Sequence, residues 1–389
     1  MSELARIHAA ARDAEARGQS LWLATVMRVR GSAYRHAGAR LLFSAEQALA
    51  GSVSGGCLEA GIVRKGPWLA RERPVCVHYE GTRSDDDDET PRGTGCDGSV
   101  DILLEKAAFA WPGSVLGALQ RCLEGERRSA LVTVFESSDH SIAIGGRLIL
   151  HESGELTVTG LPGSAIPALA EVAGRALLEP RPRARNVQGA GFDALLEVFE
   201  PPPHLFVFGS GPDAVPVVEL AVALGLGVTV CDPNPRLAVR ERFSALAELH
   251  LGSLDGVRPK LEARRRALAV VMSHHYPTDS AALGLLLDSP AVYIGVLGPR
   301  RRSERILGEL FPHSGERRAR ALARLHAPIG LDLGAETPAQ IALSIIAEIQ
   351  VVLASASALS LSASARPIHR QDSVLEVQPL PKLARTGTG

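Results

Sequence analysis

His204-Leu205-Phe206-Val207-Phe208-Gly209-Ser210-Gly211-Pro212-Asp213-Ala214 is an apolar run that breaks into two glycines and then resumes as a helical pattern. The run has strand length and composition, and the break has the GxGxxA spacing of a dinucleotide-binding turn. In that turn Gly209 allows the sharp bend and Gly211 lets a diphosphate lie against the backbone. Ala214 keeps helix and strand close. The next apolar run, GVTVCD, ends at Asp232, 21 residues beyond Gly211, where an acid can accept a ribose hydroxyl. Arg236 stands where it could meet a 2′-phosphate, so NAD and NADP are not separated here. Pro216 removes one amide from the first helical turn. The context fixes a Rossmann-type strand–turn–helix; it leaves open whether the loop holds a nucleotide or stays empty.

Working outward, ALAVVMS and AVYIGVLG continue the rhythm of apolar strands separated by helical segments, as a parallel sheet requires. We expect a mainly parallel sheet over 204–335. Pro201-Pro202-Pro203 is a stiff spacer before it. On its other side LWLATVMRV, ARLLF, VCVHY, SVDILLE, ALVTVF and GGRLIL are short strands. Helices are expected over 3–17, from near Cys57, and over 166–177. The fold class is therefore α/β, an N-terminal α+β domain followed by a C-terminal Rossmann-like parallel-sheet domain. The expected boundaries are 1–200 for the cysteine-bearing domain, 204–356 for the Rossmann-like domain with a C-terminal helix, and 357–389 for a flexible tail. That helix starts at Thr337 as N-cap with Pro338 behind it. Its stretch IALSIIAEIQVVLASA is apolar around most of its circumference, so we expect it to pack between domains or between subunits of a homodimer.

Composition narrows the function. The chain has 389 residues, 46% hydrophobic and 22% charged, with a formal net charge of −1. Nothing in that balance calls for nucleic acid or an anionic membrane as partner. No apolar run has bilayer-spanning length and the N-terminus does not have the pattern of a signal peptide, so a cytoplasmic protein is expected. The five cysteines, Cys57, Cys76, Cys96, Cys122 and Cys231, include no CxxC pair. That spacing argues against a disulfide framework, a zinc knuckle and the clustered thiolates of an iron–sulfur centre.

Two glycine–cysteine loops interrupt the first domain. Gly51-Ser52-Val53-Ser54-Gly55-Gly56-Cys57-Leu58-Glu59 ends a strand and starts a helix at the thiol. A helix N-terminus favours a thiolate, and Gly55 and Gly56 let a ligand approach the backbone, so Cys57 is the leading reactive or metal-ligating thiol. The second loop, Gly93-Thr94-Gly95-Cys96-Asp97-Gly98, supplies Cys96. Both cysteines also suit the ordinary role of small buried residues beside turns. Arg28, Arg30 and Arg35 surround a glycine turn that can hold a phosphate or simply face solvent. The acidic run Asp85–Glu89 reads as a solvated loop or, less readily, a Mg²⁺ site. His274 and His275 follow a strand at the end where ligands meet open α/β sheets.

Together these stretches resemble the XdhC/CoxI family, accessory proteins of xanthine dehydrogenase-type and carbon monoxide dehydrogenase-type molybdenum enzymes. The matching segments are ATVMRVRGSAYRHAGARLLF, GSVSGGCLEAG, GTGCDGSVDILLE, HLFVFGSGPDAVPV, VVMSHHYPTD, YIGVLGPRRRSERI and APIGLDLGAETPAQIALSIIAEI, in the family's order. The resemblance implies that the chain binds molybdenum cofactor (molybdopterin), supports its sulfuration and hands it to a xanthine dehydrogenase-type molybdoenzyme. A cysteine desulfurase is the implied sulfur-supplying partner. The cysteines carried over are Cys57 and Cys96. The chain departs from the family pattern where Asp97 follows Cys96, where Pro299 follows Gly298, and where Asp232-Pro233-Asn234 displaces the arginine to Arg236.

The expected site residues are thus Cys57, Gly55, Gly56, Cys96, Arg30 and Arg35 in the first domain and Gly209, Gly211, Ala214 and Asp232 in the second. Cys57 is the metal-facing residue, no catalytic residue is assigned, and NAD(P) or another nucleotide is the second ligand. Two other readings stay open: an NAD(P)-dependent oxidoreductase using the GxGxxA site, and a non-catalytic adaptor for the partner enzyme.

Overall fold

A computed structural model of the chain describes residues 3–31, 34–80, 98–125, 127–234, 240–245, 247–311, 315–363 and 375–376. It divides into two compact units, one over Glu3–Pro201 and one beginning at Pro202.

The first unit runs α1 (Glu3–Ala16), β1 (Leu21–Arg30), β2 (Arg40–Phe43), β3 (Ala48–Gly51), α2 (Glu59–Leu69), β4 (Val75–Glu80) and β5 (Ser99–Ala107). It continues with α3 (Val115–Gly125), β6 (Ser129–Ser137), β7 (Arg147–His151), β8 (Leu156–Thr159), α4 (Ile166–Leu178), β9 (Arg185–Gly189) and β10 (Phe192–Phe199). The strands form two sheets, β3-β2-β1-β5-β4 and one in the order β9-β10-β6-β7-β8. Neighbouring strands in both are antiparallel. The six strand runs expected from the sequence are β1, β2, β4, β5, β6 and β7. Strand β1 is buried from Leu21 to Met27, covered on both faces, which explains its unbroken apolar character. Two buried ion pairs, Arg40–Glu197 and Arg147–Glu105, tie strands of the two sheets together.

The second unit runs β11 (His204–Phe208), α5 (Ala214–Ala223), β12 (Gly227–Asp232), β13 (Glu248–Leu251), α6 (Arg258–Glu262), β14 (Ala267–Val271) and α7 (Tyr276–Leu287). It ends with β15 (Tyr293–Val296), α8 (Arg300–Leu310), α9 (Glu316–Leu322), β16 (Leu325–His326) and α10 (Pro338–Ala354). Its six strands lie in the order β13-β12-β11-β14-β15-β16, every pair parallel. This is the doubly wound order, with the switch point beside β11. Alternate strand residues feed two cores. Leu205, Val207, Val228 and Val270 pack under α5 and α10. Phe206, Phe208, Ala269 and Val271 pack under α7 and α8. A short strand β17 (Leu375–Glu376) adds in parallel to β9 of the first unit.

Helix α10 corrects one expectation. Its Ala342, Ile345, Ile346 and Ile349 do not await another domain or subunit; they pack on α5 and the sheet inside their own unit. One sheet face needs two helices to cover it, and this face of α10 meets that need, while Leu343 on the same helix stays 53% exposed. The expected cap is present as a full capping box: Thr337 Oγ1 accepts from Gln340 N, and Gln340 Oε1 accepts from Thr337 N–H at 3.0 Å.

Candidate functional site

The Cys57 loop is organised by a residue whose role the sequence did not announce. Helix α2 begins at Glu59, two residues after the thiol, and its carboxylate folds back over the loop. Oε1 accepts from Ser52 Oγ (2.7 Å), Val53 N (3.0 Å) and Ser54 N (2.9 Å); Oε2 accepts from Ser54 Oγ and Gly56 N (2.9 Å). Burial alone would raise the Glu59 pKa, but the donors of Ser54 and Ser52 outweigh it and hold the carboxyl at about 2. The amides of Val53, Ser54 and Gly56 therefore already hold an anion, this side chain. A signal was available: a Glu three residues after Gly56, with Ser52 and Ser54 just before, is within reach of the loop's own donors.

Around that anchor, Cys57 is exposed, with Sγ 3.9 Å from Ser54 O. Gly55 has φ +85, and a Cβ there would run into the ring of Tyr34 at 2.7 Å, so glycine is required on two counts. Beside Gly56 a Cβ would meet open space. The other described cysteines are different. Burial pushes Cys76 and Cys231 up to about 12, and Cys122 is fully buried in a core. Cys57 is thus the exposed thiol among the described residues.

The cations divide. Arg35 donates through Nε to Ser52 O (3.1 Å) and through Nη2 to Glu3, bracing the loop from behind. Arg28 is surrounded by three carboxylates: Asp101 at 2.6 Å, Glu136 at 2.6 Å and Asp193 at 2.5 Å. Arg30 is half-exposed and 3.5 Å from Asp101. Cys96, the rest of 93–97, the acidic run 85–89 and Arg236 lie outside the described residues. Among the described residues no three His, Cys, Asp or Glu side chains gather as a metal site. A cavity of about 120 Å³ lies elsewhere in this unit, lined by Glu105, Trp111, Arg147 and Thr159 among others.

In the second unit the glycine loop links β11 to α5 as expected, and Ala214 opens the helix fully buried. Gly209 has φ +128, and a Cβ there would strike Met272 O at 2.7 Å, because the loop presses on the end of β14. Asp232 ends β12, buried, and accepts from Ser210 N (3.1 Å), Ser210 Oγ and Asn234 N (2.8 Å). Across the carboxyl end of the sheet, His274 Nε2 is 2.5 Å from Asp213 Oδ2, and His275 Nδ1 is 2.9 Å from Thr278 Oγ1. The loop carrying both histidines is fixed by buried Asp279, which accepts from Ser273 N and from Arg302.

Family models match both units: the XdhC and CoxI family over residues 14–80 and the XdhC Rossmann domain over 205–349. The chain belongs to the XdhC/CoxI family. A Bacillus subtilis (strain 168) relative, named as a probable subunit of xanthine dehydrogenase, is 29% identical over 327 residues, 84% of this chain and 91% of that protein. The Escherichia coli (strain K12) uncharacterized protein YqeB is 26% identical over 234 residues, 57% of this chain and 42% of its own. A crystal structure of a xanthine dehydrogenase from Bacillus halodurans superposes with a TM-score of 0.70 at 25% identity, covering 94% of this chain and 98% of that one. In this XdhC-type chain the first model takes in the Cys57 loop, and the second takes in the glycine loop, Asp232 and the His274 loop. No described helix is long and apolar enough to cross a membrane.

Proposed function

We propose that this chain binds molybdenum cofactor as cargo at the Cys57 loop, supports its sulfuration and delivers it to a xanthine dehydrogenase-type enzyme. Family membership and the names of the relatives support an accessory role in a xanthine dehydrogenase system. The observation that carries the finer reading is the exposed thiol on a loop already locked by Glu59. A soft thiolate suits molybdenum or its dithiolene, and the open side of Gly56 leaves room for a bulky group. The amides of Val53, Ser54 and Gly56 serve Glu59, so phosphate contacts fall to side chains, with Arg30 the proposed cation and Arg35 holding the loop. Cys96 is proposed to support Cys57.

In the second unit Gly209, Gly211, Ala214 and Asp232 are proposed to frame a nucleotide. Asp232 would have to loosen Ser210 and Asn234 to reach the ribose of any nucleotide, NAD(P) included, so this contact gives the oxidoreductase reading no separate support. A cytoplasmic location, a cysteine desulfurase as sulfur source and a homodimeric assembly complete the proposal. Leu359 and Leu361, 74% and 67% exposed beyond α10, are apolar side chains that self-association would cover.

The test is Cys57→Ala in cells that make molybdopterin. The variant should fold normally, lose most retained pterin, and fail to activate an apo-hydroxylase. Cys122→Ala removes a buried thiol and bears any packing cost, so it is a strict control. Equal pterin and equal activation in the two variants would remove Cys57 from the site.

A further inference from the structure

In a glycine loop that binds a bare dinucleotide, the second glycine leaves space for the diphosphate, and helix amides neutralise it. Here that space is filled from within. A Cβ on Gly211 would lie 2.8 Å from Asp213 Oδ1, so the carboxylate covers the face of Gly211 that a diphosphate would use. Its other oxygen is held by His274. His274 has φ +58, a left-handed backbone that a non-glycine residue adopts only when its surroundings impose it. The amide supply is reduced as well. Ala214 N donates to Gly211 O, Val215 N to Pro212 O, and Pro216 has no N–H.

A bare diphosphate arriving there meets a like charge with few donors to offset it. We propose that the carboxyl end of the parallel sheet accepts a nucleotide phosphate only as its complex with a divalent cation, and that Asp213 imposes this requirement. The inference rests on the nucleotide reading of this unit. Mg²⁺ is typically bound by one or two carboxylates together with substrate phosphates and water. Asp213 supplies one carboxylate, and the cation supplies the charge that the shortened amide array lacks. His274, released from Asp213, turns a ring N–H toward a phosphate oxygen. The other acids nearby are committed, Asp232 to Ser210 and Asn234, Asp279 to Ser273 and Arg302.

The experiment is calorimetry of ADP and NAD on the full chain, in EDTA and in MgCl₂, for the unaltered protein and Asp213→Asn. Asparagine keeps the shape and the contact to His274 and removes the charge. The unaltered protein should bind ADP at least tenfold more tightly with Mg²⁺ than with EDTA. In D213N the affinity in EDTA should rise about tenfold and the Mg²⁺ enhancement should fall below twofold. Gly211→Val should abolish binding, which locates the signal at the loop. Equal affinity with and without Mg²⁺ in the unaltered protein, or a full Mg²⁺ enhancement in D213N, overturns the proposal while leaving the nucleotide reading intact. No binding in any arm removes that reading and the proposal with it.

Discussion

Glu59→Gln is the substitution that tests how the thiol loop is held. Glutamine has nearly the shape of glutamate but offers one acceptor oxygen and an NH₂ group. The loop aims five donors at the two carboxylate oxygens, with Val53 N and Ser54 N on one and Gly56 N on the other. Whichever way the amide is turned, at least one backbone N–H faces another donor. Leaving it unpaired costs about 1–3 kcal/mol, and the remaining bonds lose their charge assistance. A second route starts from the pKa. A shift from 4.5 to about 2 is worth up to about 3 kcal/mol, which partial solvent exposure roughly halves. Both routes give about 2 kcal/mol of local stability. The folded pKa lies below the unfolded one, so this stabilisation is present above pH 4.5 and is lost as pH falls toward 2. Two-unit chains do not always unfold in one step, so amide hydrogen exchange at 53–57 is the direct measure. At pH 7 we expect exchange in E59Q to be faster by about thirtyfold, with lower pterin retention although Cys57 is untouched. Exchange at Ser54 and Gly56 within twofold of the unaltered protein would refute the reasoning.

Gly209→Ala should destabilise the second unit by about 2 kcal/mol or more, because a methyl would meet Met272 O at 2.7 Å with φ at +128; urea unfolding followed by a probe in that unit checks it, and a change below 0.5 kcal/mol would show that the loop yields. Sedimentation at micromolar concentration should show a dimer, with Leu359→Asp/Leu361→Asp shifting it to monomer; a monomeric unaltered protein would remove self-association from the proposal.

The second unit was the more legible half. HLFVFG, GVTVCD, ALAVVMS and AVYIGVLG are strands buried on both faces, and such strands are apolar throughout, so their positions show in the sequence. Strand β13, ELHL, is an edge strand with alternating polar residues and two exposed ends, and nothing in its sequence sets it apart from a loop. In the first unit six of the ten described strands, β1, β2 and β4–β7, stand out in the sequence, but their division into two sheets does not. Period-two alternation reports which face a residue takes, not which strand lies beside it. Cys57, Gly55 and Gly56 were found through residue type. Glu59, Tyr34 and the Asp213–His274 contact were not, since each depends on a side chain reaching across a turn or between loops.

Both loops that read as anion cradles share one physical requirement. An amide array built for a ligand is expensive to leave bare, at about 1–3 kcal/mol for each N–H that loses water and finds no acceptor. A nearby acid can fill it, as Glu59 does from three residues after Gly56; in the second loop Ala214 N and Val215 N bond within the loop, and Asp213, two residues after Gly211, covers the glycine without accepting from an amide. The number of partners then decides which acid stays. Glu59 is held by five donors from Ser52, Val53, Ser54 and Gly56, so an incoming phosphate would have to replace all of them at once. Asp213 makes its contact with one histidine, exposed and in a strained backbone conformation, and its side chain keeps 23% of its surface in water. The first carboxylate is therefore a fixed part of the loop that presents Cys57. The second is the one a cation-bearing ligand can draw away.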